Sequence, residues 1–327
     1  MEPFFSTPGT PSEQKPQLPI HLAGISFVSV FILLILLLIS LSGFAQQLPS
    51  ASAFGGLVPA DDHYSRLRSV SASPLDNALD ALAFPEADFR RKAYLNLKTT
   101  YVRVPVSRFA LQPYPANSST QTRTELDLLL QLQARRTAQE IALTDSMANV
   151  YYDPLLTNTQ DPDWTRNQQS LFYIGRGMGA WFAPEQLPLT SRVLQAVLQD
   201  ATYYIFSLKA DYSRPRPYQL EAGLQPLEMP GHAAYPSGHA SASYLHAYLL
   251  CLVLPEYKEL LLQRAWDMAF SREIRGVHYP SDSEAGKKFA QQFVALLMKD
   301  KQFQQDLALM KAEIRKVKQA GEIASRK

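Results

Sequence analysis

Cysteine is almost absent: Cys251 is the one cysteine among 327 residues. No internal disulfide framework and no multi-cysteine zinc or iron–sulfur site can form. Surplus charge is missing too. Lys+Arg number 32 and Asp+Glu 30, a net charge of +2, which supplies neither a nucleic-acid-binding surface nor a polybasic membrane patch. Strand-like alternation is confined to Val102, Val104 and Val106, so the class is all-α. Past residue 60 no run reaches the roughly 18 apolar residues of a spanning helix, and there is no internal repeat. What is present is apolar mass. Hydrophobic residues make up 46% of the chain, ample for a core, and the 23 prolines fall mostly outside helical patterns. The expectation is a single helical domain whose helices are joined by proline-punctuated loops.

Residues 16–60 hold no Lys, Arg, Asp or Glu. Within them Val28 to Ile39 is a nearly unbroken apolar run, preceded by Lys15 and followed by Ser42-Gly43-Phe44-Ala45. That order describes a secretory signal peptide over residues 1–45, cut after Ala45. An uncleaved anchor is the alternative, because Leu22 to Ala45 would span a bilayer of ~30 Å at about 1.5 Å per residue. Both place the rest of the chain outside the cytoplasm, periplasmic or secreted, where a lone cysteine is at no risk of mispairing within the chain. Residues 46–112 read as an N-terminal arm with short helices, and 113–327 as the helical domain.

Several helices are legible. Leu75, Leu79 and Leu82 recur at helical spacing in a region with room for one or two short helices, and Tyr101 to Val106 suits a short strand or an extended segment. Thr122 and Glu125 form a capping-box pattern that opens a helix to about Tyr151, broken in its middle. Gln168 to Phe182 reads as helical, its glycines marking close approach or a bend. Thr190 or Ser191 caps a helix whose apolar stripe is Val193, Leu194, Val197, Leu198, Ala201 and Ile205. Further helices cover about Ala240 to Leu254, Glu259 to Ser271, Ser281 to Lys299 and Gln302 to Lys318.

Three clusters carry chemistry: Lys209 to Pro217, Tyr235 to His239 and Ser271 to Asp282. Lys209 and Arg216 offer cationic donors, and an arginine can chelate two oxygens of a tetrahedral anion. Ser237-Gly238 is an open turn into a helix, where backbone N–H groups and a hydroxyl can bind an anion. His239 stands in the first turn of that helix, and Arg272 ends the next. His278 and Asp282 are four apart, so a carboxylate can fix one ring nitrogen and leave the other as a nucleophile. Together these groups make an oxyanion cage, a nucleophile with its orienter, and a spare acid. No metal-ligand spacing competes with them.

The clusters match in order and spacing the pattern Lys-x6-Arg-Pro, Pro-Ser-Gly-His and Ser-Arg-x5-His-x3-Asp. On those positions the chain resembles the phosphatidic acid phosphatase type 2 superfamily, and most of all its secreted bacterial class A non-specific acid phosphatases. The match covers roughly Ala201 to Lys318. The resemblance implies a helical fold of the acid phosphatase/vanadium haloperoxidase type. It implies hydrolysis of small-molecule phosphate monoesters, with His278 as the nucleophile that becomes phosphohistidine and Asp282 holding its ring. His239 would protonate the leaving oxygen and then activate water. Lys209, Arg216 and Arg272, with the Ser237 hydroxyl and the Gly238 N–H, would bind the phosphoryl oxygens. No cofactor or metal is implied, activity should favour mildly acidic pH, and the cage could hold phosphate or vanadate. A vanadium-dependent haloperoxidase using the same cage is the alternative, and a non-catalytic phosphate-binding protein a further one. A homo-oligomer is left open.

Neighbouring residues receive plainer expectations. His232 reads as a loop histidine near the mouth, and His246, two helical turns after His239, as packed or solvated. Arg214 reads as the partner of a nearby carboxylate, and Cys251 as core. Tyr212 and Tyr218 are candidates to frame the pocket.

Overall fold

The computed structural model describes residues 52–54, 63, 64, 66, 67, 76–150 and 152–324. The expected signal segment, its cleavage point and most of residues 46–75 lie outside them.

Ser119, rather than Thr122, starts the first helix: its hydroxyl accepts the Thr122 N–H at 3.2 Å, opening α1 (Thr120–Arg135). Glu125 therefore does not cap its own helix and points inward, fully buried. The expected break falls at Arg136-Thr137. There Thr137 and Glu140 form a complete capping box that opens α2 (Ala138–Ala148). The stretch expected as one helix from Gln168 to Phe182 is divided into α3 (Trp164–Ser170) and a 3-10 turn, Tyr173–Met178. Gly179 at φ 119° closes that turn, and a Cβ on Gly175 would come within 2.2 Å of the Phe182 ring. Close approach, as the glycines suggested, is what interrupts the helix.

α4 (Pro188–Tyr212) begins on a proline, which has no N–H to leave unsatisfied. Neither Thr190 nor Ser191 caps it. The Glu313 carboxylate of the last helix accepts the Leu189 and Thr190 N–H groups at 2.9 and 2.7 Å. The expected apolar stripe is buried, and it carries one carboxylate, Asp200, which accepts the N–H groups of Thr100, Tyr101 and Val102. Tyr204 O–H takes the Val104 N–H at 3.0 Å. With the Tyr101, Val102 and Val104 N–H groups spent on side chains of α4, the segment pairs with no strand, and Val106–Arg108 closes it as a 3-10 turn. Among the described residues there is no strand at all, and the class is all-α.

After the one-turn α5 (Pro217–Leu220) come α6 (Gly238–Val253), α7 (Lys258–Ile274), α8 (Pro280–Leu297) and α9 (Lys301–Ala324). Leu245, Leu249, Trp266, Phe289 and Phe293 fill the space among α6, α7 and α8 and are fully buried. α6 and α8 cross closely because Gly286 has no side chain: a Cβ there would lie 2.8 Å from the Ser241 nitrogen and 2.9 Å from the Ser237 carbonyl. That crossing sets the start of α6 against the first turn of α8, where Ser237 N–H donates to the Asp282 carbonyl.

Residues 76–112 cover this bundle with 3-10 turns at Asn77–Ala81, Glu86–Asp88 and Lys92–Asn96 in place of the short α-helices expected. They bury Phe84, Phe89, Tyr94 and Phe109 in the common core. Further upstream, His63 stacks on Trp266, bonds the Glu273 carboxylate through Nδ1 at 3.1 Å and meets the Tyr244 hydroxyl through Nε2. Arg66 pairs with the same Glu273, and Ser52 donates to Asp267 at 2.6 Å. No helix among the described residues is long and apolar enough to cross a membrane.

Candidate active site

A cavity of about 680 Å³ opens between α4, α6 and α7, and its wall includes Arg216, Gly238, His239, Arg272 and His278. Five of the eight expected site residues therefore face one space. Asp282, Lys209 and Ser237 stand directly behind it. Gly276 at φ 70° turns the chain out of α7, so that His278 falls two residues before α8 and Asp282 in its first turn. A helix boundary between them does not prevent the expected contact: His278 Nδ1 lies 2.9 Å from Asp282 Oδ2.

Asp282 is held from behind. Its Oδ1 accepts from Arg214 Nη1 at 2.7 Å, and its Oδ2 also accepts the Tyr279 N–H. Arg214 lies over the Tyr279 ring at 3.7 Å and reaches Glu125 with its other Nη. Glu125 in turn accepts from the backbone and hydroxyl of Ser281 at 2.9 and 2.8 Å. Burial alone would lower the Arg214 pKa, but Asp282 and Glu125 more than offset it and hold the group above its usual range. Burial pushes Glu125 up to about 7 against the pull of Arg214.

The cavity side is the reverse, rich in cations and short of anions. Burial, then Arg216 and Arg272, holds Lys209 well below an ordinary lysine. Burial, then Arg275 and Arg216, does the same to Arg272. Arg216 is pushed down to about 10, again by burial. Two donors of Arg272, Nε and Nη1, are buried without a partner, while its Nη2 pairs with Glu228 on the cavity wall. Lys209 donates all three protons to the Ala233, Ala234 and Pro236 carbonyls at 2.9, 2.9 and 2.6 Å. It fastens the loop before Ser237 and lends charge through one layer of backbone. The Ser237 hydroxyl accepts the Ala240 N–H as the cap of α6 and is fully buried.

Arg216 joins two imidazoles. Nη1 meets His278 Nε2 at 3.1 Å, and Nη2 meets His232 Nδ1 at 2.8 Å. A guanidinium can only donate, so both ring nitrogens are lone pairs: His278 carries its hydrogen on Nδ1, toward Asp282, and His232 on Nε2. Burial, then Arg216 and Lys209, keeps both rings well below their usual pKa. His239 Nε2 lies 3.3 Å from the Ala148 carbonyl, and burial pushes its pKa down to about 4.

His232 and His246 line the cavity, whereas Tyr212 and Tyr218 do not; Tyr212 is turned to the Leu111 carbonyl. The partners expected for Arg214 are Asp282 and Glu125. Glu125 and Glu228 escaped sequence analysis. The first resembled a capping residue, and the second sits in a loop with no pattern to mark it.

Residues 190–305 match the PAP2 superfamily. The non-specific acid phosphatase of Salmonella typhi is 34% identical over 143 residues, which cover 42% of this chain and 57% of that protein. The one from Providencia stuartii is 30% identical over 142 residues, covering 42% and 56%. The chain thus spans a little over half the length of these curated relatives. A solved structure of a bacterial vanadium-dependent iodoperoxidase superposes with a TM-score of 0.50 at 17% identity, over 73% of this chain and 64% of that one. It shares the fold.

Proposed function

We propose that this chain hydrolyses small-molecule phosphate monoesters outside the cytoplasm, through a phosphohistidine on His278 and without a metal ion. The observation that carries this is the polarity of His278: its Nδ1–H is fixed on Asp282, and its Nε2 lone pair faces a cavity whose buried Arg272 has two unpartnered donors. A nucleophile and an anion-binding wall meet at one point. The named relatives support a phosphatase in kind.

In the first step His278 Nε2 attacks phosphorus. The bond to the ester oxygen breaks, and that oxygen takes its proton from His239. Arg216 Nη1, which rests against Nε2, turns its hydrogen to a phosphoryl oxygen as the N–P bond forms, and the free donors of Arg272 take the others. Imidazolium charge that develops on His278 is stabilised by Asp282. In the second step neutral His239 accepts a proton from water, water oxygen attacks phosphorus, the N–P bond breaks, and inorganic phosphate leaves. The fixed cations do for the equatorial oxygens what a metal ion does elsewhere.

The test is rapid-quench trapping of labelled phosphate, in buffer containing EDTA. His278→Ala should abolish hydrolysis of every monoester. His239→Ala should slow alkyl phosphates by roughly 10²–10⁴-fold, as general acid catalysis implies. It should affect p-nitrophenyl phosphate less in the first step and accumulate acid-labile, alkali-stable label. Label trapped on His278→Ala would reverse the two roles, and activity lost in EDTA but restored by Mg²⁺ or Zn²⁺ would end the metal-free mechanism.

A further inference from the structure

The oxyanion cage expected from the sequence loses a direct donor in the folded molecule. All three protons of Lys209 are spent on backbone carbonyls. Arg216 is nearly spent as well. Its Nε donates to the His232 carbonyl, its Nη1 to the Val277 carbonyl and His278 Nε2, and its Nη2 to His232 Nδ1. The charge of Arg216 therefore meets the cavity mainly through the two imidazoles it joins. His278 is one of them. His232 is the other, and the reaction above does not use it.

A direct contact sets the tautomer of His232. Arg216 Nη2 lies 2.8 Å from Nδ1, so a hydrogen on Nδ1 would face another on the guanidinium. The Ala233 carbonyl, at 3.3 Å from the same atom, is the longer contact and does not reverse this. The hydrogen is on Nε2. That N–H has no protein acceptor among the described residues, and it is not sealed in: the half-buried ring lines the cavity. Phe206 meets the ring edge-on with centroids 5.1 Å apart, and the preceding Gly231 carbonyl accepts the Arg90 N–H at 2.8 Å. The donor is thus fixed in place before any anion arrives. A cation that donates into one ring nitrogen also strengthens the donor at the other.

We infer that His232 is a further catalytic residue, whose Nε2–H donates to a phosphoryl oxygen beside His278. The inference rests on the phosphatase proposal for the place of that anion. One guanidinium holds both rings, so an anion in front of His278 Nε2 comes within reach of His232. A fixed neutral donor suits oxygens on which charge builds, and it adds no formal charge to a wall already crowded with cations.

The experiment measures calorimetric binding of inorganic phosphate to the full chain, and kcat/KM for p-nitrophenyl phosphate. His232→Phe keeps the ring's shape and removes the N–H, and should weaken both by about 10–100-fold, the worth of a hydrogen bond to a charged group. His232→Gln, whose amide can present an N–H near the place of Nε2, should restore part of the loss. In the ¹⁵N-histidine-labelled unmodified protein, the His232 signals, assigned by their loss in His232→Gln, should show a protonated Nε2 whose proton moves downfield when phosphate is added. A proton on Nδ1 overturns the inference, as does unchanged phosphate affinity in His232→Phe, or no phosphate binding by the unmodified protein. If His232→Phe does not fold, the labelled protein decides. Phosphate binding needs no turnover. Affinity lost in His232→Phe with no phosphohistidine trapped on the unmodified protein leaves the His232 contact standing and the hydrolytic mechanism fallen. Trapped label with unchanged affinity does the reverse.

Discussion

In the proposed reaction His239 has to carry a proton in a place where burial pushes its pKa down to about 4. Phosphate monoesters lose their last proton near pH ~6. Between those two values the protonated fraction of His239 falls tenfold per pH unit while the dianionic fraction of substrate rises tenfold, and the two offset. The expected kcat/KM for an alkyl phosphate is a plateau from about pH 4 to ~6, then a tenfold fall per unit above it. A profile that climbs from pH 5 to 7 would remove His239 from the role of acid. Most of this site was legible in the sequence because spacing fixes it: the Lys-x6-Arg, the Pro-Ser-Gly-His turn and the His-x3-Asp pair are local. What was not legible arises from contacts between distant segments. Glu125 stands 156 residues from Ser281, yet these two and Arg214 share one buried network. In the same way, nothing local says that the three protons of Lys209 all go to carbonyls of the loop before Ser237.

Helices fared similarly. Their cores were readable from the apolar period, as in α4, α6 and α8, but their starts were not where distant groups cap them. Glu313 caps α4 from 124 residues away, so no local signal at Thr190 or Ser191 could reveal it. The run near Val102 shows the same limit, since its alternation suits a strand but Asp200 takes its N–H groups first. The most sensitive contact between elements is Gly286, where α8 touches the start of α6. Gly286→Ala should cost about 1–3 kcal/mol, because the clash is with backbone and cannot be relieved by a rotamer. It should also lower kcat, since the displaced atoms belong to Ser237 and Ser241, either side of His239. Thermal unfolding and steady-state kinetics on the variant check both. A stable variant with full kcat would mean that the crossing is looser than described.

Across the whole molecule, buried titrating groups make stability depend on pH. His239 and His246 are pushed down to about 4, against roughly 6.5 in an unfolded chain. The unfolded state thus takes up protons first, so the stability these rings contribute is present above about pH 6.5 and is lost as pH falls toward 4. His232 and His278 act in the same direction. Glu125, raised to about 7, and Asp200, also raised by burial, act in the opposite one and lose their contribution as pH rises from the usual carboxylate range. Four rings outweigh two carboxyls, so Tm should fall between pH 6.5 and 4.5, measured by calorimetry without phosphate. A higher Tm at pH 4.5 would contradict the burial of these rings. The pairs that tie the molecule together also bear on its ancestry. Residues 190–305 are the stretch that the family match marks, but three of their buried charges are also answered from outside it. Arg214 looks to Glu125, Arg275 to Asp145, and Glu273 to His63 and Arg66. A graft of that stretch alone into another protein would carry the His278–Asp282 and Arg272–Glu228 pairs but leave Glu125, Asp145, His63 and Arg66 behind. The matched stretch and the folding unit therefore differ: a substitution at Glu125, Asp145, His63 or Arg66 would be felt inside residues 190–305.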